Sequence, residues 1–258
     1  MDALVALVKS HPGPWVLLFA ALFKLLHGLL RKLPTPKVVL RNDFQLWKWR
    51  NLSMSIVHSL LTGTWAISSA LIWPETISDI HRHHTSLSYL LVCISTGYFV
   101  EDAFDIIHSG YSLASWEFLL HHALVISSFL YTLYTHLYVA AAVITLFVEV
   151  NSVTLHMRLL LKVAGATSST IYDVVKVINI CTFVVFRLTA HFYLSWYLAC
   201  NYSKLENANF FACCLTIMNI MILVYFYRLI RSDFLRHTGR SGHAAQNGKL
   251  VSKKFLTD

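Results

Sequence analysis

Apolar runs separated by short polar connections fill almost the whole chain. The runs lie at about 14–30, 52–73, 86–107, 114–134, 137–163, 171–199 and 208–231. Each is long enough to cross ~30 Å of hydrocarbon as a helix rising ~1.5 Å per residue. The pattern predicts an all-α membrane protein of about seven transmembrane helices in one compact bundle. Its weakest boundary is Tyr131 to Tyr138, where the fourth and fifth runs are separated only by YTLYTHLY. There a re-entrant hairpin competes with two full spans. The first run follows Lys9 as a signal peptide's would, but no small-residue cleavage site follows it, which favours an uncut helix.

Polar residues inside these runs are costly unless they face protein or a wet cavity, so they mark candidate function. The stretch SWEFLLHH, Ser115 to His122, places two adjacent imidazoles, His121 and His122, in the fourth run. Asp102 and Asp105 lie one turn apart in the third, and Glu149 and His156 two turns apart in the fifth. His58 sits in the second. Counted along their antiparallel runs, His58, His121, His122, Asp102, Asp105 and His156 fall in one shallow layer near the same membrane face. A shared polar cavity accounts for that agreement, with His121 or His122 within reach of Asp102 or Asp105. Glu149 and Arg187 both fall near mid-bilayer and are expected to meet directly or through a polar group. Lys24 and His27, in the first run, are read as snorkelling toward an interface.

Composition removes the soluble alternatives. The chain has 258 residues, 56% hydrophobic and 13% charged, with a mean hydropathy of +0.57. A formal charge of +8 raises nucleic acid as a partner, but no soluble basic domain carries it. The cations sit in juxtamembrane loops and the C-terminal tail, which points to anionic lipid headgroups instead. Trp47 and Trp49 alternate with Lys48 and Arg50 like an interfacial belt. The five cysteines show no paired spacing, so neither a disulfide framework nor a zinc site is expected. His81, His83 and His84 form an HRHH cluster, but it lies on the face opposite the other basic segments and reads as a solvated loop; no metal is expected there. Sequons occur at Asn51, on the basic side, and at Asn201, close to the membrane.

Several segments together resemble the TLC domain family: WKWRNLSMSIVHSLLTG (47–63), GYFVEDAFD (97–105), SWEFLLHH (115–122), LFVEVN (146–151), FRL (186–188), RSDF and a terminal KFLTD. The resemblance sets boundaries of 1–39 for an N-terminal helix and basic linker, 40–235 for the domain and 236–258 for a disordered cytosolic tail. It implies a helical bundle with a lipid-accessible cavity. For the subgroup it most resembles, it implies control of phospholipid acyl composition and membrane fluidity at the plasma membrane, limiting polyunsaturated chains. The implied partners are membrane phospholipids and fatty-acyl chains, without a cofactor; the sequence names no protein partner, and the endoplasmic reticulum is the alternative location.

Ceramide synthases of the same family share the histidine pair and imply the alternative, acyl transfer from acyl-coenzyme A. On that reading His121, His122, Asp102, Asp105 and Glu149 are candidate catalytic groups, and His58, His156 and Arg187 candidate lipid contacts. A neutral imidazole attacks thioesters, and a carboxylate stabilises the charge that develops. The departure comes one helix later, where the motif resembling HDxxDxxLE aligns Glu149 with its first Asp, Ser152 with its second and His156 with its Glu. The loss of two carboxylates favours a non-catalytic, lipid-handling protein. A seven-helix receptor or transporter is supported only by helix number and Arg187, without internal repeats or paired broken helices.

Orientation follows from Lys and Arg outside the spans: with seven crossings, sixteen lie on the side of the 31–50 linker and three on the other. The sixteen belong in the cytosol, leaving the N-terminus outside or lumenal. An epitope after Asp258 is therefore expected to be stained only after permeabilisation; staining of intact cells would reverse the orientation.

Overall fold

The computed structural model describes residues 10–235. Lys9 and the expected disordered tail, 236–258, lie outside the described residues. Within them the chain is helical throughout, and its elements follow the apolar runs closely: α1 Pro12–Leu30, α2 Asp43–Ile72, α3 Ser86–His108, α4 Trp116–Thr135, α5 Val139–Thr145, α6 Val148–Val163, α7 Thr170–Thr182, α8 Thr189–Asn201 and α9 Ala208–Ile230. Proline at the start of α1 costs nothing because the first helical N–H groups have no partner there. The Asn42 side chain accepts from the Phe44 and Gln45 amides and opens α2, and a Thr85/Ser88 capping box opens α3.

Five stretches are long and apolar enough to cross a membrane: Pro12–Leu30, Asp43–Ile72, Trp116–Thr135, Val139–Val163 and Ala208–Asp233. Seven spans were expected; the described residues form seven helical passages, and the two outside this set of five differ in kind. α3 is 23 residues long and carries Glu101, Asp102 and Asp105 near one end. The sixth passage is α7 and α8 joined through a π-helical turn, Phe183–Leu188.

The fourth passage crosses fully. At one end of the bundle, the Tyr138 amide donates to His81 O, the Tyr138 hydroxyl to Glu206 O and the Tyr193 hydroxyl to Ile77 O. At the other end, Arg228 holds Glu117 and Arg158 holds Asp233. Thus α4 begins at the Lys/Arg-rich end and finishes at the opposite one. Tyr131 to Tyr138 is a turn between spans, with His136 and Tyr138 both in the left-handed region. The HRHH loop packs onto this turn rather than standing free in solvent, with the His81 ring 4.7 Å from that of Tyr138.

In lipid, apolar burial between helices gains little, so close backbone approach matters. α1 lies on α3, α2 on α6, α3 on α4 and α6 on α7. Two glycines permit the first two contacts. A Cβ on Gly97 would lie 2.6 Å from Phe19 Cβ and 2.9 Å from the Ala20 nitrogen, and one on Gly63 would lie 3.0 Å from the Val150 nitrogen. Gly97→Leu is expected to separate α1 from α3 and cost about 1–3 kcal/mol or more. Its measure is the thermal midpoint of full-length protein in detergent, with Gly28→Leu, where nothing lies within 4 Å of the added Cβ, as the unaffected comparison.

Candidate functional site

α2, α3, α4, α6, the π turn and α9 surround a cavity of about 120 Å³. Polar side chains reach it because α2 carries Asn51, Ser55 and Ser59 at four-residue spacing, which puts all three on one face. Asp102, His121, His122, Glu149, His156 and Arg187 also line it. Six of the eight residues singled out in the sequence therefore meet in one chamber. His58 and Asp105 do not line it.

The firmest pair in the chamber is His122 with Asp102: Nε2 lies 3.0 Å from Oδ2. The other carboxylate oxygen, Oδ1, accepts from Asn51 Nδ2 at 2.5 Å. His122 Nδ1 is 2.6 Å from Phe118 O. Both ring nitrogens thus face acceptors, and His122 has no lone pair free toward the chamber. His121, its neighbour, lines the chamber with its ring 5.5 Å from that of His122. The two histidines are adjacent in sequence but differ in what they offer.

Glu149, Ser152 and Arg187 share one wall of the chamber. Arg187 donates from Nε to Asn151 Oδ1 at 3.0 Å and from an NH2 group to Ser152 Oγ at 2.9 Å, and Ser152 lines the chamber beside Glu149. Glu149 accepts from Ser59 at 2.6 Å. Local backbone places both charges. The chain tightens between α5 and α6, with Glu149 N donating to Leu146 O and Val150 N to Phe147 O, so Glu149 sits in the first turn of α6, where a carboxylate suits the helix dipole. Arg187 lies within the π turn, whose wider winding changes the direction in which its side chain leaves the helix.

Other expectations change with the packing. Asp105 is turned away from the chamber: it shares with Glu101, four residues earlier, the face toward α1, where Lys24 meets both carboxylates. It accepts from Trp47 Nε1 at 2.9 Å, so Trp47 is a buried donor rather than part of an interfacial belt. His27 is likewise buried: its Nδ1 lies 3.5 Å from Glu101 Oε1, while Lys24 Nζ lies 3.2 Å from the same oxygen. Two carboxylates on the α3 face hold the buried His27 ring and the half-exposed Lys24 ammonium beside them, in place of the expected snorkelling. His58 is wholly buried and stacks on Tyr98 with ring centroids 3.8 Å apart. Asn51, being buried on Asp102, is no glycosylation acceptor. The cysteines are free.

Sequence reasoning passed over Arg158 and Arg228, which close the Lys/Arg-rich end of the chamber. Arg158 Nε donates to Asp233 Oδ2 at 2.8 Å, and Arg228 NH1 donates to both Glu117 oxygens at 2.9 and 2.8 Å. The four-residue spacing of Asn51, Ser55 and Ser59 was a readable signal; pairings across more than 70 residues were not.

Beside the polar chamber lies a small gap of about 20 Å³, and beside that an apolar chamber of about 90 Å³. His121, Glu149 and Arg187 line both the polar chamber and the gap. Phe129 and Met218 line the gap and the apolar chamber. The result is a helical membrane protein with a polar chamber and an apolar chamber that share walls with the small gap between them.

Comparison with known proteins places that architecture. The TLC domain model matches residues 48–231, and the chain belongs to the TLC domain family. It is 38% identical over 238 residues to TLC domain-containing protein 1 of Gallus gallus, covering 92% of this chain and 93% of that one. It is 40% identical over 216 residues to TLC domain-containing protein 2 of Danio rerio, with 83% and 87% covered. Similarity to human TLC domain-containing protein 1 is 34% over 250 residues, covering 96% and 98%.

The two gatekeeping ion pairs differ in burial, which sets their sensitivity. Arg158 and Asp233 are both buried, so Asp233→Asn strands a buried guanidinium and is expected to cost about 3–5 kcal/mol. Glu117 and Arg228 are partly exposed, and Glu117→Gln is expected to cost about 1 kcal/mol or less. Thermal midpoints of the two purified variants test the order.

Proposed function

We propose that this protein handles an amphiphilic membrane lipid, with the polar end among His121, Glu149 and Arg187 and an acyl chain running through the gap into the apolar chamber. The observation that carries this reading is the shared lining: the same three polar residues border both the polar chamber and the gap beside the apolar one. The finer reading is that the protein influences which acyl chains enter phospholipids and thereby membrane fluidity, acting at the plasma membrane. A narrow gap bordered by Phe99, Phe129 and Met218 supports a bias against polyunsaturated chains, because their cis double bonds impose fixed bends that a straight passage disfavours.

A second reading, acyl transfer, is favoured by one observation: His121 lines the polar chamber and the gap beside it, while the neighbouring His122 is held by Asp102. Here a neutral His121 nitrogen attacks a thioester carbonyl, the coenzyme A thiol leaves with a proton, and a lipid hydroxyl or amine then takes the acyl group and regenerates the imidazole. Turnover of labelled acyl-coenzyme A by purified protein, or label held by the protein and lost in His121→Ala, supports transfer; intact substrate leaves the handling reading.

For both readings, His121→Ala is expected to abolish the difference in phospholipid acyl profile between cells with and without the protein, while the variant stays membrane-inserted. A correctly localised His121→Ala protein with the full wild-type effect would remove this chamber as the functional site.

A further inference from the structure

Outside the lipid chamber, on the opposite face of α3, three metal-ligating side chains converge. Glu101 and Asp105 are one turn apart and buried, and His27 comes from α1 and is 1% exposed. One ligand atom from each lies within 4.8 Å of the others. His27 Nδ1 is 3.5 Å from Glu101 Oε1 and 3.9 Å from Asp105 Oδ1. Bonds of ~2.1 Å in a tetrahedral zinc site put neighbouring ligand atoms ~3.4 Å apart. The two separations from His27 come within about 0.5 Å of that spacing, and all three ligand atoms lie within 4.8 Å of one another.

Two features distinguish this group from an ordinary buried ion pair. Neither nitrogen of buried His27 has a hydrogen-bond partner, although buried polar atoms of this kind are normally satisfied. Asp105 Oδ2 is held by Trp47 Nε1 at 2.9 Å, which leaves Oδ1 directed toward His27, as an outer-shell donor orients a ligating carboxylate. The positive charge now beside the carboxylates is supplied by Lys24 Nζ, 3.2 Å from Glu101 and 3.5 Å from Asp105, and by Arg31, 3.6 Å from Asp105. Those side chains are 43% and 47% exposed. The Lys24 ammonium stands where a metal cation would, on a flexible stem with a route outward.

We propose that His27, Glu101 and Asp105 form a binding site for a divalent transition metal of the zinc class, which displaces Lys24 and ties α1 to α3 near the Lys/Arg-rich end of the bundle. One dication neutralises both carboxylates, so Lys24 and Arg31 are released toward headgroups without stranding a buried charge. Water completes the fourth position. A mixed nitrogen and oxygen donor set with close to tetrahedral spacing favours zinc over calcium or magnesium, which take six or more oxygens.

The test uses the purified full-length chain in detergent, with Zn2+ or Co2+ as the only added ligand. Wild type is expected to retain one zinc per chain by elemental analysis after a weak chelator, and to give Co2+ the strong visible absorption of a tetrahedral site. His27→Ala and Glu101→Gln should each weaken binding about ten-fold or more. Lys24→Met removes the competing ammonium and should tighten it several-fold, which keeps the test decisive if His27→Ala fails to fold. His83→Ala and His84→Ala, in the loop at the far end, should change nothing. The proposal is overturned by no uptake in wild type and Lys24→Met, by equal affinity in those two proteins, or by metal that survives His27→Ala and departs with His83→Ala.

Discussion

Burial of charge inside a helical membrane bundle is the constraint on which this structure rests. Once the backbone is satisfied within helices, the remaining cost lies with the polar side chains, and each must find its partner across the bundle. The His122–Asp102 contact shows the consequence. Both partners, Phe118 O and Asn51 are drawn into one arrangement spanning α2, α3 and α4. The chamber is what remains between such arrangements.

Its shape follows from two local departures from α-helical winding. The tightening before Glu149 and the π turn at Arg187 each alter the direction of an ionisable side chain on the chamber wall, and Ser152, which accepts from Arg187, lies between them on that wall. A regular helix through either segment would present a different residue to the cavity. The polar and apolar chambers consequently flank one small gap, whose walls carry His121, Glu149 and Arg187 as well as Phe129 and Met218.

α3 organises the molecule because it bears three carboxylates on two faces. Asp102 looks into the chamber, whereas Glu101 and Asp105 look toward α1. One face supports the lipid-handling reading and the other holds the first helix. The same backbone thus couples attachment of α1 to the wall of the chamber, and Gly97 allows the close approach this requires.

The sequence by itself determined the helical class, the passages and the gathering of histidines and carboxylates at similar depth, because hydrocarbon thickness and helical rise convert residue number directly into position along the membrane normal. It also marked His121, His122, Glu149 and Arg187 as polar groups needing company. Rotation about each helix axis is a different matter. Whether Asp105 joins Asp102 or Glu101, whether His27 reaches lipid or carboxylate, and whether Trp47 faces headgroups or Asp105 depends on which helices are neighbours. Those choices were made only by the tertiary structure, since a rotation of under a quarter turn changes a side chain's partner without altering its depth.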